Sequence, residues 1–216
     1  MIRSPLPGGG SKGEAPTMSR FQSVCVYCGS GFGDRPEYRE AAFGIGALLA
    51  QRGIRVVYGG AQVGLMGTVA DGALSVGGKV VGVIPRVLVE REIQHPGVTD
   101  LRVVETMHIR KQMMVDLSDA FIALPGGFGT MDELFETLTW LQLGVHSKPL
   151  GLLDVAGFYE GLVAFVGHMT RSGFVRPQHA ESLLVDSDPV RLLERMEAFQ
   201  PPVVGKWIEA MAAAAR

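Results

Sequence analysis

From Phe21 onward, short apolar runs alternate with stretches of helical period, and glycine or proline closes most of the runs. This alternation constrains the fold more tightly than any other feature of the chain. Residues 23–28, 55–58, 79–84, 101–104, 119–124 and 149–153 read as strands. Residues 36–52, 64–76, 106–117, 130–143, 158–172 and 188–199 read as helices. The punctuation agrees: Pro36 opens the first helix, Gly53 ends it, Gly77 and Gly78 close the second, and Thr106 is placed to cap the helix that follows it. Residues 85–100 carry neither period and read as a loop over the sheet. The run Ala120-Phe121-Ile122-Ala123-Leu124 has no polar alternation, as a strand covered on both faces requires. Strand then helix, repeated, predicts an α/β fold with a parallel sheet, helices on both faces and right-handed crossovers. In such a sheet ligands bind beyond the carboxyl ends of the strands, so the glycine turns mark the candidate site.

The 216 residues suffice for one domain with a real core, and 47% hydrophobic against 19% charged residues excludes a disordered chain. The domain is expected over residues 21–199. Residues 1–20, rich in proline and glycine, read as a flexible extension, and residues 200–216 as a tail set off by Pro201 and Pro202. No apolar stretch reaches the length of a membrane span, and the N-terminus lacks the apolar centre of a secretory signal, so the expected compartment is the cytoplasm. A formal net charge of −2 supplies no field for nucleic acid. Cys25 and Cys28 have C-x-x-C spacing, but on a strand residues three apart face opposite ways, which suits neither a disulfide nor a shared metal. They read as two buried thiols, and no metal site is expected.

The strongest motif is Pro125-Gly126-Gly127-Phe128-Gly129-Thr130-Met131-Asp132-Glu133, between a buried strand and a helix. Glycines let backbone N–H groups approach an anion, the helix N-terminus adds partial positive charge, and Thr130 adds a hydroxyl. The segment lacks the lysine of a Walker A loop and departs from G-x-G-x-x-G, which argues against a nucleoside triphosphatase and a dinucleotide. Glu133 follows the cradle by one turn; it suits a ligand-facing carboxylate and equally an ordinary first-turn acid favoured by the helix dipole. Asp132 lies about 100° around the helix, so only one of the two can face the ligand. A second motif, Met107-His108-Ile109-Arg110-Lys111, offers a guanidinium fork and an ammonium, although a basic pair on a helix is commonly a solvated face. A third, Tyr58-Gly59-Gly60-Ala61-Gln62-Val63-Gly64-Leu65-Met66-Gly67, is another strand, turn and helix start, open to a ligand role or to packing alone.

With these motifs in order, together with Cys28-Gly29-Ser30 and Gly82-Val83-Ile84-Pro85, the chain resembles the LOG, or Lonely Guy, family of cytokinin riboside 5′-monophosphate phosphoribohydrolases over residues 21–199. The resemblance implies a Rossmann-like, doubly wound parallel sheet in a single domain, and a homodimer with its site near the subunit interface. It implies Arg110 and Glu133 as the catalytic pair. It implies substrate binding by Glu92, Lys111, Gly126, Gly127, Phe128, Gly129, Thr130, Met131, Asp132 and Thr139. The chain departs from the family in having Ala61 where a third glycine is common.

The reaction so implied is hydrolysis of the N-glycosidic bond of adenosine 5′-monophosphate or its N6-substituted forms, giving free base and ribose 5-phosphate, with no cofactor. The partner is then a small nucleotide, with no nucleic acid and no membrane. The competing expectation is a carrier that binds a nucleotide or the molybdenum cofactor without turnover. Many family members also carry the label lysine decarboxylase. That chemistry needs a lysine bound to pyridoxal phosphate, and Lys79, Lys111 and Lys148 stand in no such context.

Overall fold

A computed structural model describes residues 19–202 other than Glu92. The expected extension over residues 1–20 and tail over 200–216 therefore fall almost wholly outside the described residues. The chain runs β1 (Ser23–Tyr27), α1 (Pro36–Gln51), β2 (Arg55–Tyr58), α2 (Gly64–Ser75), β3 (Val80–Pro85), α3 (Arg86–Val89), β4 (Asp100–Val104) and α4 (Met107–Asp116). It continues through β5 (Ala120–Ala123), α5 (Phe128–Gln142), β6 (Leu150–Leu153), α6 (Glu160–Arg171), α7 (Pro177–Ala180), β7 (Leu183–Asp186) and α8 (Pro189–Glu197). The sheet has seven strands in the order β4-β3-β2-β1-β5-β6-β7, and every pairing is parallel. Strand order reverses between β1 and β5, which opens a crevice between the two turns that leave them.

The period of two along β1 divides the core. Val24 and Val26 face one cluster with Ile45 and Leu49 of α1, Leu65 and Val69 of α2, and Leu192 and Met196 of α8. Cys25 and Tyr27 face the other, with Met114 of α4, Leu134 of α5 and Tyr159. Each fully buried aliphatic side chain contributes roughly 1.5–3 kcal/mol. Cys28 belongs to the first cluster and Cys25 to the second, so the two free thiols lie on opposite faces, as their spacing on a strand predicts.

Several boundaries differ from the sequence reading. The loop over residues 85–100 contains the single turn α3, and α7 and β7 fall between residues 172 and 188, where the sequence reading assigned no element. α5 starts at Phe128, two residues before the predicted start at Thr130, because Gly127 takes the cap position and Gly129 is drawn into the first turn. Thr106 does cap α4, accepting from the Ile109 N–H at 3.2 Å. No helix among the described residues is long and apolar enough to cross a membrane.

Candidate active site

The parallel strands deliver the turns after β1, β2 and β5 to one edge of the sheet. Backbone contacts knit them together: the Gly29 N–H donates to the Pro125 carbonyl at 3.0 Å, and the Leu65 N–H to the Gly29 carbonyl at 3.0 Å. A Cβ on Gly126 would clash with the Thr130 hydroxyl and come within 2.8 Å of the Gly29 nitrogen, so a bare backbone is required there. Gly127 caps α5, and the first hydrogen bond of the helix is Met131 N–H to Gly127 carbonyl at 3.1 Å. The N–H groups of Phe128, Gly129 and Thr130 precede that bond and have no partner within the helix. They sit where the helix dipole is positive, as an anion cradle needs. Thr130 is buried with its hydroxyl in this turn, whereas the Phe128 ring is 96% exposed, leaving that residue its backbone N–H as its contribution.

Arg110 and Glu133 meet beside the cradle. Glu133 stands one and a half turns into α5, and Arg110 on the first turn of α4; Nη1 of Arg110 donates to Oε1 of Glu133 at 3.1 Å. Both are sequestered, with side chains 9% and 11% exposed. Nε of Arg110 donates to the Val83 carbonyl at 3.0 Å, which fixes the plane of the guanidinium. Its Nη2 lies against Gly59, where a Cβ would collide with it. The basic pair is therefore no solvated face: the β2 turn is glycine so that an arginine can enter the sheet edge. Burial pushes the Glu133 carboxyl above the ordinary glutamate range, and the neighbouring Arg110 only partly offsets this. Behind it, the Thr137 hydroxyl donates to the Glu133 carbonyl at 2.8 Å and lies 3.0 Å from the buried Tyr27 hydroxyl.

Asp132 and Glu133 part as the helix geometry requires. Asp132 is exposed and receives Lys111 Nζ at 3.0 Å; Glu136, one turn on, receives the same ammonium at 3.1 Å. Lys111 thus straps α4 to α5, with its own side chain 11% exposed. Met131 packs against the second core cluster. Thr139 is not brought to the pair within this chain: its hydroxyl donates to the Phe135 carbonyl, and it lines a separate cavity between α5, α6 and α7. Glu92 lies outside the described residues. Ala61, the departure from the family turn, is buried, bridges to Gln94 and avoids the left-handed backbone that Gly60 adopts at φ 79°, so its methyl group is tolerated. Glu136 was not singled out in the sequence; its place one turn beyond Asp132 is the signal that could have found it.

A pyridoxal phosphate imine needs a lysine that readily gives up its proton. Burial alone would lower Lys111, but its bonds to Asp132 and Glu136 outweigh burial and hold it above the ordinary lysine value. Lys148 donates its ammonium to the Val115 carbonyl at 2.8 Å. Neither fits that cofactor.

The chain matches the family described as "Possible lysine decarboxylase" over residues 66–196. It is 43% identical over 190 residues to a cytokinin riboside 5′-monophosphate phosphoribohydrolase of Arabidopsis thaliana, covering 88% of each chain. A second Arabidopsis thaliana protein of that name is 44% identical over 185 residues, 86% of this chain and 85% of the relative. Among solved structures, the molybdenum cofactor binding protein of Rippkaea orientalis superposes with a TM-score of 0.64 at 23% identity, over 83% of this chain and 97% of that one. The Moco carrier protein of Chlamydomonas reinhardtii gives a TM-score of 0.62 at 23% identity, over 83% and 99%. At such identities these structures share the fold alone.

Proposed function

The chain belongs to the LOG family of cytokinin riboside 5′-monophosphate phosphoribohydrolases, and from that membership we propose that it hydrolyses the N-glycosidic bond of N6-substituted adenosine 5′-monophosphates, releasing the base and ribose 5-phosphate. The observation that carries the reading to this chain's own residues is the buried Arg110–Glu133 pair set beside a glycine cradle at a helix N-terminus. The cradle N–H groups of Phe128, Gly129 and Thr130 receive the 5′-phosphate. Glu133 then lies about one turn along the same helix, so one rigid element holds both ends of ribose phosphate.

Breaking the bond from C1′ to the base builds positive charge on the ribose. The Glu133 carboxylate stabilises that charge and orients the attacking water, while Arg110, locked by Val83 and Glu133, holds the carboxylate in place and offers its remaining N–H groups to the ribose or the departing base. Phosphate binding away from the reacting carbon gives monophosphates their advantage over nucleosides. A carrier would need the cradle but not a desolvated carboxylate paired to an arginine, so the carrier reading is the weaker.

A homodimer is part of the proposal. Met107 and Ile109 on α4 and Phe128 and Phe135 on α5 leave apolar side chains exposed on the two helices that hold the pair, which supports an interface at the site. The free thiols suit a reducing cytoplasm. The test is separation of free base from nucleotide after incubation with AMP and with isopentenyladenosine monophosphate. Base release supports the reading, and the ratio of rates gives the preference at N6. Binding of either nucleotide without release of base overturns it in favour of the carrier.

A further inference from the structure

The segment between α3 and β4 returns across the turn that follows β2. The Gln62 N–H donates to the Ile93 carbonyl at 2.8 Å, and the His95 N–H to the Gly60 carbonyl at 2.9 Å, so Ala61 and Gln94 form an antiparallel bridge. This one bridge holds the turn Gly59-Gly60-Ala61-Gln62 from outside the sheet. The imidazole of His95 anchors the segment in its turn. It is buried, its Nδ1 accepts from the Gly97 N–H at 3.1 Å, and its Nε2 lies 3.1 Å from Oδ1 of Asp71 on α2. Because Nδ1 accepts, the proton sits on Nε2 and is donated to Asp71. His95 thus joins α2, the 93–97 segment and the β2 turn at one point.

What the turn supports is Arg110. Gly59 is in contact with the end of the guanidinium, and a Cβ on Gly60 would come within 3.3 Å of the Val83 backbone, whose carbonyl accepts from Arg110 Nε. Gly59 thus walls the arginine's slot, and the residue after it, Gly60, packed on Val83, is the one that the His95 N–H holds. We propose that His95, fixed by Asp71, is a positioning residue that sets the β2 turn and through it the plane of the Arg110 guanidinium. The proposal rests on the reading of Arg110 as part of the hydrolytic site. A displacement well under 1 Å suffices to matter, since catalytic groups act only near their productive geometry.

The experiment compares wild type with His95→Ala, Asp71→Ala and Asp71→Asn. It reads kcat and KM for base release, the melting temperature, and hydrogen exchange of the amides of residues 62 and 95, the two that donate in the clasp. Wild-type release of base must be seen first, and its absence would refute the hydrolase reading rather than the clasp. The exchange measurement tests the clasp without any activity. Asp71 is well exposed on α2, so its variants test the idea even where His95→Ala folds poorly. Expected are a fall in kcat of about tenfold in His95→Ala and Asp71→Ala, a KM within about twofold of wild type, and faster exchange at the amides of residues 62 and 95. Asp71→Asn keeps an oxygen that accepts from Nε2 and should restore kcat to within about twofold. Unchanged kcat and exchange in Asp71→Ala overturns the proposal. Loss in Asp71→Asn equal to that in Asp71→Ala also overturns it.

Discussion

Replacing Glu133 by glutamine separates what this carboxylate does for the fold from what it does for the reaction. Two opposing quantities act on it. Attraction to Arg110, with charges about 4 Å apart in an effective dielectric of about 20, is worth ~4 kcal/mol. Removing a carboxylate from water costs several kcal/mol, and at 11% side-chain exposure most of that cost applies. The raised carboxyl pKa says that desolvation, its largest cause, wins over Arg110. The fold then binds this proton more tightly than the unfolded chain does. The stabilisation tied to the proton is complete below the ordinary glutamate value and is lost as pH rises through the elevated one. In its ionised form Glu133 is a net burden on the fold. Glutamine matches the protonated acid in shape and keeps an oxygen for Arg110 Nη1. The expected result at pH 7.5, in the range of about 5–8 where histidine alone of the ordinary side chains changes charge, is a melting temperature equal to or a few degrees above wild type, at about 2–4 °C per kcal/mol for a chain of this size. Turnover should fall by about 10²–10³, or ~2.7–4 kcal/mol, as for loss of one preorganised charge. Scanning calorimetry and chromatographic base release measure the two. A melting temperature lowered by more than about 4 °C, or wild-type turnover, would refute the reasoning.

The same carboxyl sets the acid limb of the rate: kcat should fall with decreasing pH above the ordinary glutamate range, and Lys111→Met should move that limb higher still, since it removes a cation that favours the carboxylate, as a pH–rate profile would show. Gly59→Ala should lower kcat by about 10²-fold and lower the melting temperature as well, because the added methyl meets Met66 Sδ and must displace a guanidinium held by Val83 and Glu133. Gly126→Ala forces backbone against backbone at Gly29 and should raise KM for the monophosphate more than tenfold and lower the melting temperature, whereas Gly127→Ala, with open space at its Cβ, should leave stability within about 1 kcal/mol. Adenosine should be cleaved far less efficiently than AMP in wild type, and substitution at Gly126 should shrink that difference in kcat/KM.

The parts of the fold that the sequence made legible are those carried by local pattern. β1, β2, β3 and β5 are continuous apolar runs ended by glycine or proline, and α1, α2 and α4 carry their own punctuation, so each could be placed within a residue or two. β7 escaped notice because Leu183–Asp186 is a four-residue edge strand, half-buried, with no period of its own to set it apart from the surrounding turns. The first turn of α5 was hidden by Gly129, a residue that reads as loop until the dipole and the anion cradle give it a reason to be helical.

The division at the site has the same cause. The chain by itself determined a parallel sheet with glycine turns at one edge, a cradle leading into an acid, and a family resemblance that implied Arg110 and Glu133 as a pair. Tertiary structure alone decided which acid turns inward, that Lys111 is a strap bound by Asp132 and Glu136, and that Arg110 is buried at all. Burial of a charge depends on what approaches from elsewhere in the chain. The slot for Arg110 is cut by Gly59, and its outer bonds come from Val83 and Glu133, 27 and 23 residues away. No window of sequence around Arg110 contains them, because desolvation and charge pairing are properties of the assembled edge rather than of any segment that forms it.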